Sequence, residues 1–393
     1  MNSTPPARSA PPRSRGWTIG RIAGAPVIVT PSWFLAAAVL TFVIAPSVSR
    51  QLPDLGWTAY LVAAAFVIML FASVFLHEVA HALVARARGQ EVHELAINLW
   101  GGHTAYSGGM SRPADGLLVA VVGPLTNLAL ALIGWFAFLL RQEQGLDVPT
   151  LLLLAVTASN AFVGLFNLLP GLPLDGGQIL EAVVWRVTGS RSKGTVVAGW
   201  TGRIIAVGVV AWAIVWPLVA GVAPDLYQVA FSVLVAGFLW FGASGAIAGA
   251  RRRDAVAALR AGSLATSAVT VPLGATVSDA LAARSGAGPR YGARDAGPVP
   301  YVVVVGPDGV PLALLDDDAL GSVPPEARGT TRVDAVAVPF VPSSAVGPEV
   351  AGHDLLRHLA ASSGGARLVP VVTDGRVTGV LDLATVARAV RGT

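Results

Sequence analysis

The 393-residue sequence contains no cysteine and a single lysine, and only 13% of its residues are charged. Without cysteine, neither a disulfide nor a thiolate metal site can form. Hydrophobic residues make up 54% of the chain, more than is usual in soluble proteins. The sequence pI is near 9.9, but the basic residues form no stripe interleaved with aromatic residues. We therefore expect no nucleic-acid partner.

Asp, Glu, Lys and Arg are absent from six long stretches of the sequence. Each stretch can cross a hydrocarbon core, which takes roughly 20 helical residues. The six stretches are Ile22–Ser49, Thr58–Leu76, Leu117–Leu140, Val148–Leu174, Ile204–Pro224 and Leu226–Ala250. They predict a polytopic α-helical membrane protein with about six transmembrane helices in a lipid bilayer.

The basic residues between these spans predict the orientation. Arginines and the lysine concentrate before the first span and after the second, fourth and sixth, whereas the opposite loops offer only Arg50 and Arg141. By the positive-inside rule, both termini face the cytoplasm and the protein lies in the cell membrane. The polar, Pro-rich residues 1–21 are typical of a disordered cytosolic tail. The composition, rich in arginine and alanine, is typical of a bacterial protein.

Composition changes after Arg253, where short β-branched strings replace the long apolar runs. Two predicted hairpins lie 66 to 67 residues apart: Tyr301–Val305 with Leu312–Leu315, and Leu368–Val372 with Val377–Leu381. A helical pattern precedes each hairpin. Residues 254–393 are therefore predicted to be a cytosolic α/β region with two copies of one unit, at about 260–322 and 331–393.

These tandem units resemble a pair of CBS domains. The resemblance implies a module that often binds an adenosine nucleotide between its copies and that can form a homodimer. The family contacts the ribose through Ser or Thr after the second hairpin strand and through an acidic residue three positions later. Here those positions hold Asp316 and Ala319 in one copy, and Asp382 and Thr385 in the other, so both copies depart from the pattern. The alternative is a pair that only docks and dimerises.

The motif HEVAH closes the second predicted span. His77 and His81 lie one turn apart on the same face of a helix, so both imidazoles can bind one zinc ion. Glu78 is rotated by roughly 100° from His77 and can reach a water molecule at the metal. Three ionisable groups cost several kcal/mol in hydrocarbon unless a metal, a partner or water satisfies them. We therefore expect a metal site rather than a polar contact between helices.

A catalytic zinc site needs a third protein ligand. Asp175 is the candidate, because the surrounding Pro and Gly residues break the helix at the end of the fourth span. His353 and His358 lie about 140° apart on a helix and could not easily share a metal. His93 and His103 follow the second span and are either supporting residues of the site or simply solvated.

HEVAH and NLLPGLPLDGG together resemble the site-2 protease family of intramembrane zinc metalloproteases. IGRIAGAPVIVTPSWFL, GGHTAYSGG and GPLTN (Gly123–Asn127) fit the same family, and the resemblance covers roughly Trp17 to Arg253, with residues 22–253 as the membrane domain. It implies one zinc per chain on His77, His81 and Asp175, Glu78 as catalytic acid and base, and Asn167 as a stabiliser of the oxyanion. Asn127 belongs to the site by the same resemblance, or satisfies a neighbouring helix.

The resemblance also implies a membrane-inserted hairpin around Leu95–Gly108 that holds the substrate extended. The expected substrate is a single-span membrane protein, such as an anti-sigma factor, with a helix-breaking residue near the cut. Two other functions stay open: a metal transporter gated by the CBS pair, and a catalytically silent membrane chaperone.

Overall fold

The computed structural model describes residues 15–98, 101–107, 112–141, 143, 145–287, 299–341 and 344–391. Internal contacts divide the chain into two units, Met1–Ala250 and Arg251–Thr393. This division falls three residues before the predicted boundary at Arg253.

Six helices in the described residues are long and apolar enough to cross a membrane. They are α1 (Pro31–Gln51), α2 (Ala59–Ala87), α3 (Pro113–Arg141), α4 (Val148–Asn167), α6 (Arg191–Val219) and α7 (Leu226–Ala258), with the shorter α5 (Asp175–Thr188) between α4 and α6. The prediction of a polytopic α-helical membrane protein with six spans is confirmed.

Large and small apolar residues divide between the outside and the inside of this bundle. Phe42 and Phe241 are mostly exposed, whereas Ala63, Ala120 and Ala198 are completely buried where helices meet. Small residues let helix backbones approach closely when lipid, and not water, surrounds them. The exposed large side chains are therefore the surface that faces the bilayer.

The first span differs from its prediction at the N-terminal end. Residues 17–29 form a hairpin of β1 (Trp17–Ile22) and β2 (Ala25–Val29), whose turn has positive φ at Ala23 and Gly24. The predicted span over Ile22–Val29 is wrong, as is the predicted disordered tail over residues 17–21. β-Branched residues on both sides of a tight turn favour strands here. The helix starts only at Pro31, where its missing N–H costs nothing.

The fourth and fifth spans also differ at their edges. Helix α4 ends at Asn167, and residues 168–174 are non-helical, as the Pro and Gly residues predicted. Helix α5 was not predicted, and α6 begins at Arg191, thirteen residues before the predicted span. The reason is that α5 and the first turns of α6 contain charged residues, so neither belongs to a charge-free run.

A four-stranded sheet has the order β1-β2-β3-β4, in which β3 is Glu91–Asn98 and β4 is Gly101–Ser107. Strands β2 and β3 are parallel, whereas the other two pairs are antiparallel. The predicted hairpin at Leu95–Gly108 is therefore present, although it begins earlier, at Glu91, and Gly108 lies outside the described residues. Strand β4 is an edge strand of this sheet.

The C-terminal unit contains two copies of one α/β arrangement around a six-stranded sheet of order β8-β7-β6-β5-β10-β9. Its elements are α8 (Ala261–Leu264), β5 (Thr266–Pro272), α9 (Val277–Ala287), β6 (Tyr301–Val305), β7 (Pro311–Leu315), α10 (Asp317–Gly321), β8 (Ala337–Pro339), α11 (Gly352–Ser362), β9 (Leu368–Thr373), β10 (Arg376–Asp382) and α12 (Leu383–Arg391). The first strand of each copy pairs with the hairpin of the other copy, β5 with β10 and β8 with β7. The predicted repeat is confirmed.

Candidate metal centre and active site

Helix α2 carries HEVAH and brings the two histidines to one point. His77 and His81 are both buried, and their Nε2 atoms lie 3.0 Å apart. The four-residue spacing places the two rings on one helix face, as the sequence predicted.

The other ring nitrogen of each histidine faces an oxygen. The Nδ1 atom of His77 lies 2.5 Å from Oδ1 of Asn127, and that of His81 lies 2.6 Å from the carbonyl oxygen of Val119. Since both oxygens accept hydrogen bonds, each Nδ1 carries the proton and donates it. The Nε2 lone pairs are then free to bind a metal, which is how outer partners orient metal-binding histidines.

Asp175 approaches the histidines from the first residue of α5. Its Oδ2 lies 3.1 Å from Nε2 of His77 and 3.4 Å from Nε2 of His81. Its Oδ1 is within 3.5 Å of the Nε2 of Gln178. A helix N-terminus favours a negative charge, so the start of α5 is a suitable place for this carboxylate.

Glycines let the segment before Asp175 pack tightly. A Cβ on Gly171 would lie 2.6 Å from Cα of Gly202 in α6, and one on Gly202 would lie 2.0 Å from the carbonyl oxygen of Leu172. The amide of Leu172 also donates to the carbonyl of Ala198 in α6. This close contact holds the segment against α6 and so fixes the start of α5.

The three facing atoms suit a zinc ion. Three lone-pair donors crowd together, two imidazole nitrogens and one carboxylate oxygen, and a divalent cation satisfies all of them. Ligands 2.0–2.1 Å from a tetrahedral zinc lie roughly 3.3 Å apart, close to the separations here. Gly123 keeps the space open, because a Cβ there would lie 2.3 Å from Nε2 of His81 and 2.5 Å from Nε2 of His77.

Glu78 lies beside this cluster, on a cavity of about 440 Å³. Thr104 on β4 donates a hydrogen bond of 2.9 Å to Oε2 of Glu78 and also reaches its carbonyl oxygen. A Cβ on Gly102 would lie 2.3 Å from Cγ of Glu78, so β4 packs closely over this side chain. Asn167 lines the same cavity from the end of α4.

The structure places the remaining predicted residues as follows. His103 also lines the cavity, is largely exposed, and lies 3.6 Å from Glu94, whereas His93 is half-buried on β3. In the C-terminal unit, Nε2 of His358 contacts the carbonyl oxygen of Ala345, and no metal-ligand cluster among the described residues includes it or His353. Asn127 does contact the site, through His77.

The sequence alone assigned no individual role to several residues around the site: Ser73, Thr104, Gly123, Asn160 and Gln178. Thr104 and Gly123 do lie within the motifs GGHTAYSGG and GPLTN. Asn160 stands in a run without charged residues, and an amide at that position is costly in hydrocarbon unless it has a partner. That cost indicates from the sequence alone that Asn160 has a polar partner inside the bundle. Thr104 and Gln178 occur among other polar residues and carried no such signal.

A cavity of about 470 Å³ in the C-terminal unit is lined by residues of both copies. Its charged residues are Asp316, Asp317, Asp318 and Arg367. Burial raises the pKa of the neighbouring Asp382, but hydrogen bonds from Arg367 and the Ala384 amide lower it more, so its pKa lies below the ordinary value. The charge around this cleft is thus mainly negative.

Comparisons with known proteins match the membrane unit. The family model of Peptidase family M50 matches residues 65–147 and 142–210. Over 389 residues the chain is 29% identical to a Mycobacterium tuberculosis protein provisionally named zinc metalloprotease Rip3, covering 95% of this chain and 92% of that one. It is 34% identical to a provisionally named zinc metalloprotease of Synechocystis over 47% of this chain, and spans about half (48%) of that relative's length.

A Bacillus subtilis relative provisionally named zinc metalloprotease YwhC is 30% identical, over 30% of this chain and 68% of that relative. The fold and the site therefore define a zinc metalloprotease of the membrane. The chain belongs to Peptidase family M50, the site-2 protease family.

Two solved structures are similar to parts of the chain. The site-2 protease of Methanocaldococcus jannaschii covers 59% of this chain and 94% of its own, with 23% identity and a TM-score of 0.41. The CBS-domain protein ATU1752 of Agrobacterium tumefaciens covers 32% of this chain and 84% of its own, with 21% identity and a TM-score of 0.21.

Proposed function

We propose that this chain is a zinc-dependent endopeptidase that hydrolyses a peptide bond within or near a transmembrane helix of a membrane protein. The observation that carries the proposal is the triangle of two Nε2 atoms and one Oδ2 atom, with edges of 3.0, 3.1 and 3.4 Å, beside Glu78. His77, His81 and Asp175 would hold one zinc ion per chain.

Glu78 is proposed as the general base and acid. Zinc at such a site polarises a carbonyl and lowers the pKa of a bound water to about 7. The Glu78 carboxylate accepts a proton from the attacking water and then donates it to the leaving amine. The hydrogen bond from Thr104 holds the carboxylate in place for both transfers.

Asn167 is proposed to stabilise the oxyanion. Its side chain lines the cavity that Glu78 and Asp175 also line, and an amide N–H can donate to the oxygen of a tetrahedral intermediate. Loss of one such donor typically costs roughly 10²–10³-fold in rate.

The edge strand β4 is proposed to bind the substrate. Its outer edge has no strand partner among the described residues, and Gly101 to Thr104 line the cavity beside Glu78. An extended segment can add to such an edge through backbone hydrogen bonds. Because a helix conceals its peptide bonds, we expect substrates with a helix-breaking residue near the cut.

The other details of the proposal rest on the sequence. Both termini face the cytoplasm of a bacterial cell, and the substrate is a single-span protein, for example an anti-sigma factor. The C-terminal pair regulates the protease or forms its homodimer. The cleft of this pair carries three aspartates and one arginine, so it is poorly suited to the phosphates of an adenosine nucleotide.

The experiment is a comparison of membranes from cells that contain the wild type or Glu78→Gln. The variant keeps the ligands of the metal but loses the base, so we expect unchanged zinc content and a rate at least about 10²-fold lower. Single-span proteins that the wild type cuts should then accumulate uncut. Equal amounts of every cut fragment in both membranes would contradict the proposal and favour a transporter or a silent chaperone.

A further inference from the structure

A chain of buried polar groups runs from His77 through α3 and α4 and returns to α2. Oδ1 of Asn127 faces Nδ1 of His77, and Nδ2 of Asn127 donates to Oδ1 of Asn160 over 2.9 Å. Nδ2 of Asn160 donates to Oγ of Ser73 over 3.0 Å. Asn127 and Asn160 are each 1% exposed.

The donors and acceptors allow the hydrogen bonds between these polar groups to run in only one direction. Nδ2 of Asn160 has two hydrogens, and they go to Ser73 and to the carbonyl of Val156 at 2.9 Å. Ser73 in turn donates to the carbonyl of Met69. Since a backbone carbonyl can only accept, Oδ1 of Asn160 must face Asn127.

We propose that Asn160 is a positioning residue for the metal site, acting through Asn127 on the tautomer of His77. If the Asn127 amide turned over, its oxygen would face the oxygen of Asn160 at hydrogen-bond distance, which is repulsive. Asn160 therefore keeps the oxygen of Asn127 toward Nδ1 of His77. The proton then stays on Nδ1, and the lone pair of Nε2 points at Asp175 and His81.

Without Asn160, the alternative orientation of Asn127 loses its penalty. The amide nitrogen would then donate to Nδ1 of His77, which would place the proton on Nε2. A protonated Nε2 cannot bind a metal. Part of the zinc-binding energy would be spent on reversing this arrangement, so zinc affinity falls although no ligand has been changed.

This inference rests on the zinc site of the proposed function, and the test separates the two. Zinc affinity of the full-length protein in detergent is measured by competition with a chelator. Asn160→Leu removes the acceptor at similar volume and is expected to weaken zinc about tenfold, at the low end of the range for outer partners of a ligand. Thr157→Val on the same helix is the control, because Thr157 is buried and its hydroxyl makes no hydrogen bond among the described residues.

Asn160→Asp tests whether the acceptor is what matters. A neutral carboxyl group has one O–H, which can donate to the carbonyl of Val156, and its other oxygen then faces Asn127. The zinc affinity of this variant should therefore stay within about threefold of the wild type. A loss equal to that of Asn160→Leu would overturn the inference. If Asn160→Leu does not fold, Asn160→Ser, which is too short to reach Asn127, takes its place with the same expected loss.

A double-mutant cycle distinguishes positioning from general packing. In the background of Asn127→Ala, Asn160→Leu should weaken zinc no further, because the effect passes through the missing amide. Additive losses would overturn the inference while leaving the zinc site intact. A wild type without zinc would instead refute the proposed function itself.

Discussion

The two units of the chain treat their polar groups in opposite ways. In the membrane unit, His77, Asn127, Asn160 and Asp175 are buried and connected to one another. In the C-terminal unit, ion pairs such as Arg332 with Asp334 have exposed partners. Buried groups must be paired or bind a metal, whereas exposed pairs contribute little to stability. Buried polar groups that bond to one another therefore indicate function in the first unit, whereas exposed ion pairs carry little functional information in the second.

Among residues that are not metal ligands, Gly123 should have the largest effect on zinc affinity when it is substituted. In Gly123→Ala the added Cβ would lie within 2.5 Å of both Nε2 atoms, whose rings are held by hydrogen bonds. We expect zinc affinity to fall at least about 100-fold, beyond the usual effect of an outer partner. Zinc titration of the purified protein measures this.

Gly208→Ala on α6 is the matched control, since a Cβ there meets nothing within 4 Å. Equal zinc affinity in the two variants would mean that the buried cluster tolerates the extra carbon. It would contradict the role of Gly123 in keeping space for the metal.

A smaller effect is expected at Thr104. Thr104→Val removes the hydroxyl that donates to Oε2 of Glu78 but keeps the shape of the side chain. A hydrogen bond to a charged group contributes roughly 1.5–3 kcal/mol, so kcat should fall about tenfold or more. Zinc content should not change. Thr201→Val, whose hydroxyl bonds only within α6, should keep wild-type kcat; a kcat loss shared by both variants would exclude a role of Thr104 at Glu78.

The smallest effect should come from the C-terminal unit, at Arg367. The pKa of Asp382 is below its ordinary value, so the pairing stabilises the fold at pH values above about 3.9 and is lost as pH falls through the folded-state pKa. Arg367→Met should speed hydrogen exchange in β9 and β10 slightly at pH 7, and the difference should vanish in acid. Arg376→Met, at an exposed position of β10, is the control. A difference that persists in acid would assign the effect to packing.

The sequence predicted the parts of the fold that depend on long charge-free runs and on the spacing of similar segments. Runs without charge revealed all six long helices, and the spacing of hairpins revealed the repeat. It did not reveal α5, because that helix is amphipathic and carries Glu181 and Arg186. It also extended the first span into β1 and β2, because an apolar strand and an apolar helix are alike in hydropathy.

The site was predictable to the same extent. Two histidines at helical spacing and a carboxylate among helix breakers are recognisable from the sequence, and the structure brings His77, His81 and Asp175 together. The partners of these residues come from other helices and from β4. Asn160 lies 83 residues from His77 in the sequence, and only the packing of α2, α3 and α4 connects them through Asn127.

The central claim is that Asp175 completes a zinc site with the histidines of α2. The most direct test is the zinc content of the detergent-purified wild type, Asp175→Asn and Glu78→Gln. We expect about one zinc per chain in the wild type and in Glu78→Gln, and little in Asp175→Asn, which keeps the shape of the side chain but loses its charge. A wild type without zinc, or an Asp175→Asn variant that binds zinc as tightly as the wild type, would contradict the account.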